Sequence, residues 1–193
     1  MALSKALNGL TPAKITGNAP NSTGQSRYRI ANGFASDMFT GDLVKVSAGT
    51  VQPITTTTDR PIGVFMGCEY VDPVNKRPVW GKRWPASTSS SDTSPYAFVA
   101  DNPSSVFVIQ ADATVSLGDI ESNNFAVTLG AGSAVTGRSG FGLKAGSRTS
   151  LSRNLRIVGN YDIPGNSLGD ANAKVLVRLV QHIDTIASIA PAN

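Results

Sequence analysis

Apolar residues recur along this chain in short bursts, often alternating with polar ones, and turn-forming residues separate the bursts. Leu43-Val44-Lys45-Val46 follows Thr40-Gly41-Asp42 and stops at Ser47-Ala48-Gly49. Val51-Gln52-Pro53-Ile54 comes next, and Pro53, which has no amide proton, assigns that strand to an edge or a bulge. The longest burst runs from Pro61 to Val71. It predicts a long strand in which Gly63 and Gly67 permit close backbone approach or a bulge. Asp72-Pro73-Val74-Asn75-Lys76 reads as a turn. Arg77 to Trp84 then returns as the second arm of a hairpin, with Trp80 and Trp84 expected on one face.

Residues 86–95, rich in Ser and Thr, read as a surface loop. Tyr96–Val99 and Val106–Gln110 are short apolar runs, the second expected to be buried. Leu155–Gly159 and Val175–Val180 are strong strand candidates; Thr114–Leu117, Asn124–Leu129 and Phe141–Lys144 are weaker ones. A helical turn is expected within the first ten residues and again within Asp112–Asn123, but no long amphipathic helix. Many short strands at this spacing predict an all-β body of antiparallel strands, a barrel or a sandwich. Thr40-Gly41-Asp42-Leu43 and Leu117-Gly118-Asp119-Ile120 look alike, and both aspartates are expected to cap turns.

Composition supports this picture. The 193 residues include 19 Gly and 11 Pro, and only Glu69 and Glu121 among the 13 acids are glutamates. Length is sufficient for a full hydrophobic core. A content of 40% hydrophobic and 16% charged residues is too apolar for a wholly disordered chain, and no run of about 18 apolar residues is present to span a membrane. The net charge of +4 sharpens the organisation. Up to Ser36 the charged side chains are Lys5, Lys14, Arg27 and Arg29; from Asp37 on, 13 basic residues balance 13 acidic ones. Residues 1–33 are therefore expected to form a basic, extended N-terminal arm, either solvated or lying on an acidic surface. Residues 34–193 are expected to form the body, with a Gly-rich hairpin over 123–146. Four charges are few for nucleic-acid binding, where runs or stripes of basic residues are expected.

Candidate chemistry is sparse. One histidine, His182, and one cysteine, Cys68, exclude the usual zinc spacing within one chain, and no intramolecular disulfide can form. A Cys68–His182 nucleophile and base pair is formally conceivable, but Cys68 lies in an apolar strand and reads as a small buried hydrophobe. The segment from Gly132 to Ser139 approaches a phosphate-loop spacing but places Arg138 where that loop needs Lys, and glycines follow where a helix should begin. Asp112 and Asp119 form no calcium-loop pattern; a carboxylate pair brought together in space is the catalytic reading they allow, and their spacing alone does not establish it. No catalytic, cofactor-binding or metal-binding residues are expected. Tyr70, Trp80 and Trp84, flanked by Arg77, Lys82 and Arg83, are of the kinds enriched in binding hot spots. They allow two readings, a protein interface or a platform for a host glycan.

The stretch Asp59-Arg60-Pro61-Ile62-Gly63-Val64-Phe65-Met66-Gly67-Cys68-Glu69-Tyr70-Val71-Asp72, followed by Pro78-Val79-Trp80-Gly81-Lys82-Arg83-Trp84-Pro85-Ala86, resembles small virion proteins of tailed phages, above all short-tailed marine ones. Gly41-Asp42-Leu43-Val44-Lys45-Val46 is similar to the first strand of capsid decoration proteins. The resemblance covers about Phe34 to Ala111. It implies a β-barrel or β-tulip cement protein on the outer surface of an icosahedral head, made in the host cytoplasm. It further implies bridging of neighbouring major capsid proteins, as a dimer or trimer, with no direct contact to nucleic acid or membrane. The interface expected on this basis comprises Lys5, Lys14, Arg27, Arg29, Tyr70, Trp80, Arg83 and Trp84. The alternative is a glycan-binding module or head-fibre base that uses the exposed aromatics.

Overall fold

A computed structural model describes residues 3–16, 24–91 and 94–183. Its strands are, in chain order, β1 (Thr11–Ile15), β2 (Ser26–Arg29), β3 (Met38–Phe39), β4 (Leu43–Ser47), β5 (Thr50–Pro53), β6 (Gly63–Val71) and β7 (Pro78–Gly81). Then follow β8 (Arg83–Trp84), β9 (Tyr96–Ala100), β10 (Ser105–Gln110), β11 (Asn124–Thr128), β12 (Gly142–Thr149), β13 (Leu155–Asn160) and β14 (Lys174–Leu179). One 3-10 turn, Leu117–Asp119, is the helical element among the described residues. The all-β reading is met, and the strand pairs are antiparallel throughout.

The strands form two sheets and a small ribbon. The first sheet has the order β1-β10-β14-β13-β11-β12. The second has the order β2-β9-β6-β4-β5, with β7 also paired to β6, and β3 pairs with β8. The first sheet curls until Ala111 and Leu143 meet in a single parallel bridge, with the Asp112 N–H donating to Leu143 O at 2.9 Å. That bridge joins no further strand pair, so among the described residues the sheet is strongly curled rather than a closed barrel. Pro53 sits at the edge of the second sheet, where its missing donor costs no ladder bond.

Two apolar clusters hold the body together. The larger joins the inner face of the first sheet (Phe107, Ile109, Phe125, Leu143, Leu155, Ile157, Val175, Val177) to Leu43, Val64 and Ala100 of the second. The smaller lies on the other side of the second sheet and contains Ile30, Met38, Val44, Phe65, Cys68, Trp84, Ala97 and Val99. The second sheet is thus buried on both faces along part of its length. This is why Gly63 to Cys68 reads as a continuous apolar run rather than an alternation. Gly63 is needed at this position: a Cβ there would run into the carbonyl oxygen of Ala100 on the neighbouring strand. Gly67 lies at the register shift between β6 and β9.

The boundary expected at residue 33 does not separate an arm from the body. β1 and β2 are edge strands of the first and second sheets. Leu10 belongs to the larger core and Ile30 to the smaller. Residues 4–6 are pinned by Gln110, whose side chain donates to Ser4 O at 2.9 Å and accepts from the Ala6 N–H at 2.7 Å. The helical turn expected in the first ten residues is absent among those described. What looked unable to fold alone gains its stability by pairing with strands far along the chain.

Three chain segments cross where the sheets meet. The Leu10 N–H donates to Gly41 O at 3.0 Å, and the Ser139 N–H donates to Thr40 O at 3.0 Å. A Cβ on Gly9, where φ is +72°, would meet both Gly41 O and Ser139 Cβ at 2.5 Å, so only glycine fits. Asp42 is buried at this crossing, with the Phe39 N–H donating to its carboxylate at 2.8 Å. Burial pushes its pKa up to about 6, against the opposing effect of hydrogen bonds from Ser139 and Phe39. The folded chain therefore holds more protons than the unfolded one from about pH 4 to pH 6. Stability falls as pH rises through that window, and the cost then stays constant. Asp42→Asn is expected to remove this slope, gaining on the order of 2 kcal/mol on wild type between pH 4 and pH 7. Urea denaturation at the two pH values measures it, and parallel behaviour of the two proteins would argue against the assignment.

Candidate partner-binding face

At one end of the second sheet, half of one face lies outside the larger core and is not covered by any described residue. Strand register defines this face. Arg29 lies opposite Tyr96, Tyr96 opposite Glu69, and Glu69 opposite Trp80. In the next row Arg27 lies opposite Phe98, and Phe98 opposite Gly67. Residues directly opposed in antiparallel strands share a face. Arg27, Arg29, Glu69, Trp80, Tyr96 and Phe98 therefore project together across β2, β9, β6 and β7. Further along β9 the same face carries Ala100, which is buried in the larger core with Val64. One surface thus runs from core to solvent without changing side.

The open half is pre-organised. The Arg27 guanidinium stacks 4.3 Å from the Tyr96 ring centroid, and its Nη2 lies 3.4 Å from Glu69 Oε2. Trp80 is 66% exposed and is the one aromatic in the exposed class among the described residues. A shallow cavity of about 170 Å³ opens beside Arg27, Glu69, Pro78 and Tyr96. A flat aromatic beside two guanidiniums and a single carboxylate is suited to burying apolar surface while fixing orientation through charge.

The eight residues expected at an interface separate into four places. Arg27, Arg29 and Trp80 share the open face. Tyr70 and Trp84 do not: Trp84 is fully buried, and Tyr70 packs edge-on against it at 5.5 Å in the smaller core. The expectation that Trp80 and Trp84 share a face is corrected by a break at Lys82. There the chain leaves β6, and β8 pairs with β3 instead, setting Trp84 opposite Met38. The three-aromatic platform for a glycan is therefore not assembled. Arg83 is half-buried with its Nε 3.7 Å from Asp37. Lys5 and Lys14 lie on the N-terminal segments along the first sheet. The sequence reading missed Glu69, Tyr96 and Phe98. The alternation Tyr96-Ala97-Phe98-Val99, large aromatic against small or branched apolar, is the signal that distinguishes the outer from the inner side of that strand.

The groups considered for catalysis are engaged elsewhere. Burial pushes the Cys68 thiol up to about 12, and its Sγ donates to Arg83 O at 3.2 Å, not to an imidazole. Asp112 accepts from Thr128 Oγ1 at 2.8 Å and from the Ala145 N–H at 2.9 Å. Asp119 engages a different set, closing the turn at Ser116 and receiving Arg148. The 132–139 segment is a tight turn closed by the Ser133 N–H to Arg138 O at 2.8 Å. Among the described residues no three His, Cys, Asp or Glu side chains group in a way that would hold a metal ion, and no helix is long and apolar enough to cross a membrane.

Comparison with protein-family models, with curated proteins and with solved structures gave no match. The functional reading therefore stands on the geometry of this face and on the resemblance described above.

Proposed function

We propose that the protein is a non-catalytic virion component that binds the outside of an icosahedral phage head and bridges neighbouring major capsid proteins. The observation that carries this reading is the uncovered half of the second sheet. There Trp80, Arg27 and Arg29 stand on a sheet that is buried on both faces along part of its length. A β-body of this kind resists deformation because its cores are close-packed. Force from packaged DNA on the shell would then pass through the body to both partners. Assembly as a dimer or trimer at a symmetry axis would multiply weak contacts into strong retention.

The test uses the full chain and purified expanded heads lacking it. Wild type is expected to cosediment with heads and to raise their resistance to heat. Trp80→Ala is expected to weaken head binding at least about tenfold, as truncation of an interfacial tryptophan does, while leaving urea stability within about 0.5 kcal/mol. Absence of binding at saturating protein, or full binding by Trp80→Ala, would overturn the reading.

A further inference from the structure

The outer face of the first sheet carries a pocket that the core packing does not require. Register sets Lys14 opposite Val106, Val106 opposite Arg178, and Arg178 opposite Arg156. These four side chains therefore project from one side of four adjacent strands, while Phe107, Val177 and Ile157 point into the core. Both outer strands of this group are irregular. β1 shifts register between Pro12 and Lys14, and β13 shifts between Ile157 and Gly159. The extra residue of the second shift, Val158, joins Ile15 and Val106 as an aliphatic wall around a cavity of about 210 Å³. Lys14, Arg178 and Glu121 supply its charged groups, and Thr16 also lines it.

The charges do not balance. Glu121 Oε2 lies 3.0 Å from Arg178 Nη2 and 4.0 Å from Arg156 Nη1, so one carboxylate serves two guanidiniums. Lys14 has no ion pair among the described residues. We propose that this pocket takes one carboxylate side chain, Asp or Glu, from an acidic segment of a partner protein. It would be a contact surface separate from the Trp80 face. The aliphatic walls suit the methylene stem of such a residue, and its single negative charge answers Lys14 and the half-compensated guanidinium pair. A phosphate dianion is disfavoured because Glu121 stands in the same rim. The proposal rests on the bridging reading, since a bridge needs two binding surfaces. One exposed ion pair is weak, so the pocket contributes through repetition around a symmetric shell.

The experiment titrates the isotope-labelled full chain with the peptide acetyl-Ala-Glu-Ala-amide. Its Gln counterpart and inorganic phosphate serve as alternative probes. Saturable amide and methyl shifts at Lys14, Val106, Val158 and Arg178 are expected with the Glu peptide. They should weaken about fivefold with the Gln peptide or in Lys14→Gln, the equivalent of one exposed ion pair. No saturable shift, an equal response to the Gln peptide, or tighter binding of phosphate would overturn the proposal. Trp80→Ala should keep the peptide shifts while losing heads. In the wild-type chain, absence of the peptide response with heads still bound would sink the pocket alone; peptide binding without head binding would sink the bridge.

Discussion

Replacing Trp84 by alanine is expected to cost about 3–5 kcal/mol of stability, the range for deleting a large aromatic from a packed core. Trp84 is the largest fully buried side chain, and it closes the smaller cluster from the side away from the first sheet. Its ring meets Tyr70 at 78° between planes, and its Nε1–H donates to Phe34 O at 3.4 Å. Removal leaves a void between β6 and the two-residue ribbon of β3 and β8, and strands so short give the walls little means of closing it. The Phe34 carbonyl also loses one of its two donors, keeping the Ser87 N–H at 2.7 Å. Trp80→Ala provides the control, since the same side chain four residues earlier stands in solvent. Urea denaturation of both variants measures the contrast. Comparable losses for the two would mean that the assignment of one tryptophan to the core and the other to the surface is wrong.

Asp119→Ala is expected to cost about 2–4 kcal/mol, because it strands several donors at once. The carboxylate accepts from the Ser116 N–H at 2.8 Å, the Ser116 hydroxyl at 2.9 Å, Asn123 Nδ2 at 3.2 Å and Arg148 Nη2 at 2.6 Å. Together these bonds tie the 3-10 turn to β12. Arg148 is about half exposed, so water recovers part of its loss. Ser116 is exposed as well, but its N–H and hydroxyl point at the buried Asp119 carboxylate, so water reaches them less readily there. Asp119→Asn keeps an acceptor for Ser116 and should fall between wild type and Asp119→Ala. The pH dependence has a defined sign. Burial alone would raise the Asp119 pKa, but the Ser116 donors and the Arg148 guanidinium outweigh it and hold the carboxyl below its ordinary value. Its contribution is therefore present above the ordinary carboxylate range and is lost as pH falls below it. Wild type should lose stability on acidification below about pH 4 more steeply than Asp119→Asn. Denaturation at pH 7 and pH 3 decides this, and a loss under about 1 kcal/mol for Asp119→Ala at pH 7 would contradict the account.

Much of the architecture is legible in the chain wherever a local rule acts alone. Alternation locates β4, the missing amide of Pro53 locates an edge, and Gly63 marks the point where two backbones touch. The doubly buried stretch of β6 appears as an unbroken apolar run. β1 and β2 are not legible in this way. They are short, polar and exposed on much of their surface, and they are strands only because β10 and β9 offer them a free edge. The candidate binding face is legible in parts. Arg27, Arg29 and Trp80 stand out by type, but Glu69, Tyr96 and Phe98 join them only through register between strands distant in sequence. Trp84 misleads because period-two reasoning assumes an unbroken strand, and the break at Lys82 hands the chain to a different partner.

The two Gly-Asp turns show where the division falls. In each, the aspartate carboxylate accepts from the backbone N–H three residues earlier, from Phe39 to Asp42 and from Ser116 to Asp119, both at 2.8 Å. That geometry follows from a short acidic side chain placed just after a turn, and the sequence alone determines it. The charge on each carboxylate does not follow from it. Folding brings Arg148 to Asp119 and holds its carboxyl below the ordinary range, whereas Asp42 is enclosed at the crossing of three segments and its pKa rises to about 6. The hydrogen bond depends on neighbours three residues away and the charge on which distant residue folding delivers, so local sequence decides the turn and only the tertiary structure decides its electrostatics.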